Sequence, residues 1–123
     1  MPLQETSESL EAIARALKSG ASASQPSFLV VYASKTNGRS WCGDCRAAEP
    51  QVEKVFASVP QTVRVAYAGQ QGEWRDPSNG FRQDPFQVTN LPTIIKVTAD
   101  GEWTRLVEAD VNDQEKLAAF VES

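Results

Sequence analysis

A pair of cysteines, Cys42 and Cys45, stands at the junction between a strand pattern and a helix pattern. Before the pair, the run FLVVYA at residues 28–33 is continuously apolar and rich in aromatic and β-branched residues. Such a run predicts a central strand that is covered on both faces. After the pair, apolar residues recur on one face of a predicted helix, at Val52, Val55, Phe56 and Val59. The fold must therefore hold two thiols at a strand-to-helix junction.

The chemistry open to these thiols is limited, because the chain contains two cysteines and no histidine. Two sulfurs three residues apart at the start of a helix can form a disulfide, and a loop so short adds little stability. A zinc or iron–sulfur site would need further ligands from a second subunit or from glutathione. Two buried cysteines acting as small hydrophobes are the other alternative, but the neighbours Gly43, Asp44 and Arg46 argue against an apolar slot. The pattern favours a redox dithiol that needs no metal and no cofactor.

Length and composition narrow the class of protein further. A chain of 123 residues suits one domain, residues 1–123, without a separate cofactor domain. The net charge of -4 provides no basic face for nucleic acid. The apolar run is too short to cross a membrane, and the N-terminal segment carries Glu5, Glu8 and Glu11 rather than a basic region before an apolar stretch. We expect a soluble, cytoplasmic protein whose dithiol is kept reducible.

Two further helices are predicted from apolar periodicity. Leu10, Ile13, Ala14 and Leu17 recur at helical spacing, with Ser7 as the expected N-cap and Gly20 just past the end. The closing helix has Asn112 as the expected N-cap and an inner face formed by Leu117, Phe120 and Val121. Residues 69–90 show no period, which predicts a functional loop and a short helix near residues 77–82.

The remaining strands complete an α/β pattern. TVRVAY at residues 62–67 alternates like a strand, and a short edge strand is possible through Leu3. TIIKV and EWTRLVE, at residues 93–97 and 102–108, are joined by Asp100 and Gly101, a strong hairpin signal. This order predicts a mixed central sheet with helices on both faces.

The element order and the motif together resemble the thioredoxin superfamily, in which a CxxC motif opens a helix and a cis-proline faces it. Cys42, Cys45, Pro50 and the segment Leu91–Pro92–Thr93 fall where that pattern expects them. WCGDC followed by AEP, the loop before Trp41, and WRDPSNGFR at residues 74–82 are similar to the thioredoxin-related 14 kDa proteins, also called the thioredoxin domain-containing protein 17 family. That family's motif is WCPDC, so Gly43 stands in place of its proline.

The resemblance implies a thioredoxin fold and a thiol-disulfide oxidoreductase that works as a disulfide reductase. It implies electrons from thioredoxin reductase and NADPH, no bound cofactor, and substrates that include small disulfides such as cystine and selected protein disulfides. We expect a monomer. A glutathione-coupled, glutaredoxin-like enzyme and a non-catalytic redox-sensing interaction protein are the alternatives, and acidic Asp44 beside the site weighs against an anionic tripeptide.

Cys42 is expected to attack the substrate disulfide, because a sulfur ahead of a helix is favoured as thiolate by the helix dipole. Cys45 is expected to resolve the mixed disulfide. Asp44 opposes a second anion and is the candidate acceptor of the Cys45 proton, or simply an acidic residue in the first helical turn. The buried aspartate of thioredoxin is replaced by Val31 or an apolar neighbour.

The expected substrate-binding residues are Trp41, Gly43, Leu91, Pro92 and Thr93. Pro92 is expected to be cis, and the backbone of Leu91 to pair with an extended substrate. We expect Trp41 to cover the dithiol. Outside this set, Trp74 is expected in the core rather than in a substrate groove, and Arg75, Asp76 and Arg82 are expected to be solvated loop charges or caps.

Overall fold

The computed structural model describes residues 3–122. The strands within them are β1 (Leu3–Glu5), β2 (Ser27–Tyr32), β3 (Lys35–Thr36), β4 (Arg39–Ser40), β5 (Val63–Tyr67), β6 (Thr93–Val97) and β7 (Trp103–Val107). Five of these strands form the main sheet, in the order β1-β5-β2-β6-β7. The helices are α1 (Leu10–Gly20), α2 (Gly43–Phe56), α3 (Gln71–Arg75) and α4 (Gln114–Glu122), with 3-10 turns at Gly80–Arg82 and Glu108–Asn112.

Strand β2 is central, as its apolar run predicts. It pairs parallel with β5 and antiparallel with β6. Its consecutive residues Leu29, Val30 and Val31 are each 0% exposed, so both faces of the strand are covered. The parallel β2–β5 pair requires a crossover, and α2 lies in that connection. The end of β2 therefore leads toward the cysteines, and the predicted mixed sheet with an edge strand at Leu3 is confirmed.

The predicted helices are present, but both expected N-caps are wrong. Ser9, not Ser7, caps α1, and its Oγ accepts the Ala12 N–H at 3.1 Å. Asp113, not Asn112, lies ahead of α4, and its Oδ1 accepts the N–H groups of Glu115 and Lys116 at 3.0 and 3.1 Å. In both cases the residue directly before the first helical turn meets the free N–H groups, and the more distant polar residue does not.

Two loop regions contain structure that apolar periodicity does not reveal. The segment before Trp41 folds into the hairpin β3–β4, with Asn37 and Gly38 at its tip in left-handed conformations, φ 53° and 79°. An Asn-Gly pair is the usual signal for a two-residue hairpin turn. In the segment after β5, the short helix expected near residues 77–82 is found as the 3-10 turn Gly80–Arg82, at the C-terminal end of that range, and α3 is an additional helix ahead of it.

The helices of residues 3–122 include none that is both long enough and apolar enough to cross a membrane.

Candidate active site

Cys42 is the N-cap of α2, with an extended backbone at φ -94° and ψ 113°. Its Sγ accepts the N–H of Cys45 at 3.2 Å, and the side chain is half-buried. The free N–H groups at a helix start carry partial positive charge, so this position favours a sulfur anion. The sequence prediction that Cys42 opens the helix is confirmed, and the sulfur has both an accessible side and a hydrogen-bond donor.

Cys45 lies behind Cys42 and is 0% exposed. The Ala33 N–H, at the end of the central strand, donates to its Sγ at 3.5 Å. Burial raises the pKa of the Cys45 thiol well above its ordinary range, and the neighbouring Cys42 and Asp44 contribute in the same direction. Both cysteines are free thiols. Cys45 is therefore held as an inaccessible, protonated thiol beside an accessible one.

The segment facing Cys42 contains a cis peptide bond between Leu91 and Pro92, as predicted. The Cys42 thiol donates to the Leu91 carbonyl oxygen, with Sγ and O 3.8 Å apart. Thr93 is fully buried, and its Oγ1 donates to the Asn90 carbonyl at 2.6 Å. Leu91 is thus the residue of this segment whose backbone lies at the sulfur, and all three residues Leu91, Pro92 and Thr93 are buried.

Ser40 positions Cys42, and sequence reasoning missed it. Its Oγ accepts the Cys42 N–H at 3.1 Å and donates to the Ala33 carbonyl at 3.4 Å. Its own carbonyl accepts from Arg46 Nη1 at 2.6 Å. A serine two residues ahead of a backbone N–H is a recognised local turn pattern, so the signal was available in the sequence.

Trp41 is half-buried beside the dithiol, and its indole Nε1 donates to the Gly69 carbonyl at 3.1 Å. This contact joins the residue directly before Cys42 to the loop after β5. The indole is a donor only, so the bond fixes the orientation of the ring. That Trp41 covers the dithiol stays a prediction.

A groove of about 540 Å³ runs past Cys42. Sites for small ligands have volumes of about 300–1,000 Å³, so the groove is large enough for one. Its walls come from the redox motif, from α3 and the following 3-10 turn, from the segment before Pro92 and from the start of the last 3-10 turn, and include Trp41, Asp44, Trp74, Arg82, Leu91 and Glu108.

Trp74 is 6% exposed, which confirms the expected core position, yet the same residue also lines the groove. Arg82 is not a solvated loop charge. Its Cζ lies 3.9 Å from the centre of the Trp74 ring, and its Nε donates to the Trp74 carbonyl at 2.8 Å. Arg75 is exposed and lines the groove, whereas Asp76 accepts from the Ser78 N–H and hydroxyl, which lower the pKa of Asp76, and so acts as a turn cap.

Asp44 and Gly43 are exposed in the first turn of α2 and line the groove. The Asp44 carbonyl accepts from Asn112 Nδ2 at 3.4 Å, which ties this turn to the segment after β7. On the other side of Cys45, the β2 residues Val30 and Val31 are buried and apolar, as the resemblance implies. Asp44 is therefore a carboxylate placed close to both sulfurs in the chain.

Within residues 3–122, histidine, cysteine, aspartate and glutamate side chains form no group of three or more that could hold a metal ion. The site that the structure presents consists of two thiols, backbone donors, aromatic rings and charged side chains.

The sequence profile described as "Thioredoxin domain-containing protein 17-like, thioredoxin domain" matches residues 6–123. The chain belongs to this family. It is 37% identical over 103 residues to thioredoxin-like protein Clot of Arabidopsis thaliana, an alignment that covers 79% of this chain and 77% of that protein. It is 36% identical to thioredoxin domain-containing protein 17 of Mus musculus over 77 residues, 61% of this chain and 59% of the mouse protein.

Solved structures confirm the thioredoxin fold of this family member. Trxlp from Edwardsiella tarda EIB202 superposes with a TM-score of 0.61 at 22% identity, covering 96% of this chain and 98% of that one. The long form of thioredoxin f from spinach chloroplast superposes with a TM-score of 0.63 at 15% identity, covering 98% and 87%. The family and the fold support a role of the thiol-disulfide oxidoreductase type.

Proposed function

We propose that this chain is a disulfide reductase in which Cys42 attacks and Cys45 resolves. The observation that supports this most directly is the asymmetry of the two thiols. Cys42 is half-buried at a helix start beside an open groove, and Cys45 is 0% exposed behind it with a raised pKa. A reductase needs that asymmetry, because the first sulfur must meet the substrate and the second must stay protonated until the mixed disulfide forms.

In the first step the Cys42 thiolate attacks one sulfur of the substrate disulfide. The substrate S–S bond breaks, a new S–S bond joins Cys42 to one half of the substrate, and the other half leaves as a thiolate that takes a proton from water. The Cys45 N–H, which donates to Cys42 Sγ at 3.2 Å, stabilises the attacking anion. We propose that the Leu91 backbone, whose carbonyl oxygen lies 3.8 Å from the same sulfur, pairs with an extended substrate.

In the second step Cys45 loses its proton and attacks Cys42 Sγ. The mixed disulfide breaks, the second substrate thiol is released, and the two electrons of the dithiol have passed to the substrate, leaving a Cys42–Cys45 disulfide. Asp44 is our candidate for the proton acceptor, directly or through water. General base catalysis contributes about 10²-fold or more, so Asp44→Asn should slow release of a preformed mixed disulfide by at least about tenfold. Release at the wild-type rate would leave Asp44 as an ordinary acidic residue of the first turn.

The oxidised dithiol must be reduced again for turnover. We propose that NADPH supplies the electrons through thioredoxin reductase, that the protein acts as a monomer in the cytoplasm, and that its substrates are small disulfides such as cystine and selected protein disulfides. The family resemblance supports the electron source and the substrates, and one closely spaced cysteine pair supports the location. The half-buried sulfur and its bounded groove add a steric reason for selectivity among protein substrates.

The test is NADPH oxidation by catalytic thioredoxin reductase plus this protein, with cystine or insulin as the acceptor. Cystine reduction that disappears in Cys42→Ser, with little insulin turnover, is the expected result. Absence of NADPH consumption with both acceptors would refute the proposed electron source and acceptors.

A glutathione-coupled enzyme is the second candidate, and one observation favours it. Arg75 and Arg82 line the groove, so the charge beside Cys42 is not solely acidic. Replacement of thioredoxin reductase by glutathione and glutathione reductase in the same assay separates the two enzymes. A non-catalytic redox sensor would consume NADPH only once per dithiol in either system.

A further inference from the structure

We propose that Arg75 and Arg82 are specificity-determining residues that hold a carboxylate of the substrate beside Cys42. The inference rests on the proposed disulfide reductase and names the residues through which it would favour disulfides that carry a carboxylate close to the sulfur. Both arginines and Cys42 line one groove, so a group bound to the arginines belongs to the molecule that meets the sulfur.

Arg82 is preorganised for this contact. Its guanidinium lies over the Trp74 ring, with Cζ 3.9 Å from the ring centre, and its Nε is fixed by the Trp74 carbonyl at 2.8 Å. Neither Nη atom of Arg82 donates a hydrogen bond to any residue in the described range 3–122. Two Nη groups held in a fixed plane match the two oxygens of a carboxylate, and a guanidinium that is already ordered loses little entropy on binding.

Arg75 supplies a second positive charge from the last turn of α3, directly after Trp74. It is exposed, and its side chain forms no hydrogen bond or ion pair with residues 3–122. The two cations thus come from adjacent segments joined through the buried Trp74 ring. Their charges add where a carboxylate would lie.

The acidic residues of the groove come from a different part of the fold. Asp44 lies in the first turn of α2 and Glu108 begins the 3-10 turn after β7, and these two segments are joined by the bond from Asn112 to Asp44. The positive and negative groups of the groove therefore come from different segments, and both kinds line the groove that Cys42 also lines. A zwitterionic amino-acid disulfide complements both regions, whereas a neutral disulfide gains from neither.

The experiment compares three small disulfides of similar length, namely dithiodipropionate with two carboxylates, hydroxyethyl disulfide without charge, and cystamine with two ammonium groups. Pre-reduced full-length protein is mixed with each in excess, and the second-order rate constant of dithiol oxidation is followed. The variants are Arg82→Gln, Arg82→Lys and Arg75→Gln. Arg15→Gln, at an exposed position of α1, is the matched control for the change in net charge.

We expect Arg82→Gln to lower the rate constant for dithiodipropionate about tenfold, or about 1.4 kcal/mol, as for a charge-assisted hydrogen bond. Arg75→Gln should lower it about threefold, as for an exposed ion pair. Arg82→Lys should restore part of the loss, and Arg15→Gln should have no effect. The constant for hydroxyethyl disulfide should stay within about twofold in all variants, and that for cystamine should not fall.

An equal loss for all three disulfides in Arg82→Gln would show that Arg82 only supports the loop. Arg75→Gln then decides, because its side chain is exposed: a loss confined to dithiodipropionate supports the inference, and no loss overturns it. The failure of the proposed function looks different. In that case wild-type protein oxidises none of the three disulfides, or Cys42→Ser reacts as fast as wild type.

Discussion

Replacement of Gly43 by proline should stabilise the protein, although the position lies between the two cysteines of the candidate site. Gly43 is the first residue of α2, where proline is favoured because its missing N–H has no helical partner. Its φ lies outside the left-handed region, and an added Cβ would meet only Arg46 Nη2, at 3.6 Å. The preceding Cys42 already has the extended backbone that a following proline requires, at φ -94° and ψ 113°.

The gain comes from the unfolded chain, which loses freedom when a glycine becomes a compatible proline. This effect is worth about 0.4–1 kcal/mol. An unfolding entropy of about 2.1 cal/mol/K per residue gives roughly 0.26 kcal/mol/K for a chain of 123 residues. Gly43→Pro should therefore raise the Tm of the reduced protein by about 2–4 °C. A difference of 1 kcal/mol between the oxidised and reduced forms would move the reduction potential by about 20 mV, which sets the upper limit of the redox effect.

Thermal unfolding followed by circular dichroism, with the dithiol kept reduced, measures the change in Tm. Gly43→Ala is the control for the added side-chain atom. Gly101→Pro is the control for backbone geometry, and it should destabilise because Gly101 has φ 86°, which proline cannot adopt. A lower Tm for Gly43→Pro with an unchanged Tm for Gly43→Ala would refute the reasoning, since it would show that the Gly43 N–H has a stabilising partner.

Three further predictions concern the dithiol and its support. Iodoacetamide should label Cys42 of the reduced native protein at least about tenfold faster than Cys45, as measured by peptide mass spectrometry. The reasons are that Cys45 is 0% exposed and that each unit by which its pKa is raised lowers its thiolate fraction about tenfold. Equal labelling of the two cysteines would contradict this prediction. The raised pKa of Cys45 stabilises the reduced fold below the unfolded pKa of about 8.5, so the free energy of unfolding should decrease as pH rises from about 8.5 to 9.5, by at most about 1.4 kcal/mol per pH unit. Urea unfolding across that range should show the decrease in wild type and lose it in Cys45→Ala. Ser40→Ala should lower the free energy of unfolding by about 1–3 kcal/mol, because it leaves the Cys42 N–H and the Ala33 carbonyl without their partner. Ser58→Ala, at an exposed position, should change the free energy of unfolding by less than about 0.5 kcal/mol. Equal effects of the two substitutions would refute the role of Ser40.

The central part of the fold could be predicted because burial determines it. The apolar run at residues 28–33 has no stable place except between two covered faces, and β2 is found there. The cysteine motif follows from the same argument, since it lies between that strand and a helix with one apolar face. Residue pattern and family resemblance predicted the positions of Cys42 and Cys45 and the cis bond before Pro92, and the structure confirms these predictions.

The features that could not be predicted depend on local geometry, which decides which of several similar polar groups meets a given partner. Ser7 and Ser9 are both acceptable N-caps by residue type, and only the exact start of α1 favours Ser9. The orientation of the Arg82 side chain could not be predicted either, because a sequence does not show in which direction an arginine side chain points. Its contact with the Trp74 ring depends on the 3-10 turn that brings two residues eight positions apart together. The hairpin turn at Asn37 and Gly38, by contrast, could have been predicted, because an Asn-Gly pair is the usual signal for a two-residue hairpin turn.

In the proposed mechanism, the burial of Cys45 bears on how long a substrate stays attached to Cys42. Cys45 is 0% exposed, so it cannot react directly with a thiol in solution. It lies in the same helical turn as Cys42, so its attack on the mixed disulfide is intramolecular, and the rate of that attack does not depend on the concentration of other thiols. Replacement of Cys45 by serine would remove this intramolecular attack, and substrates would then accumulate as stable mixed disulfides with Cys42.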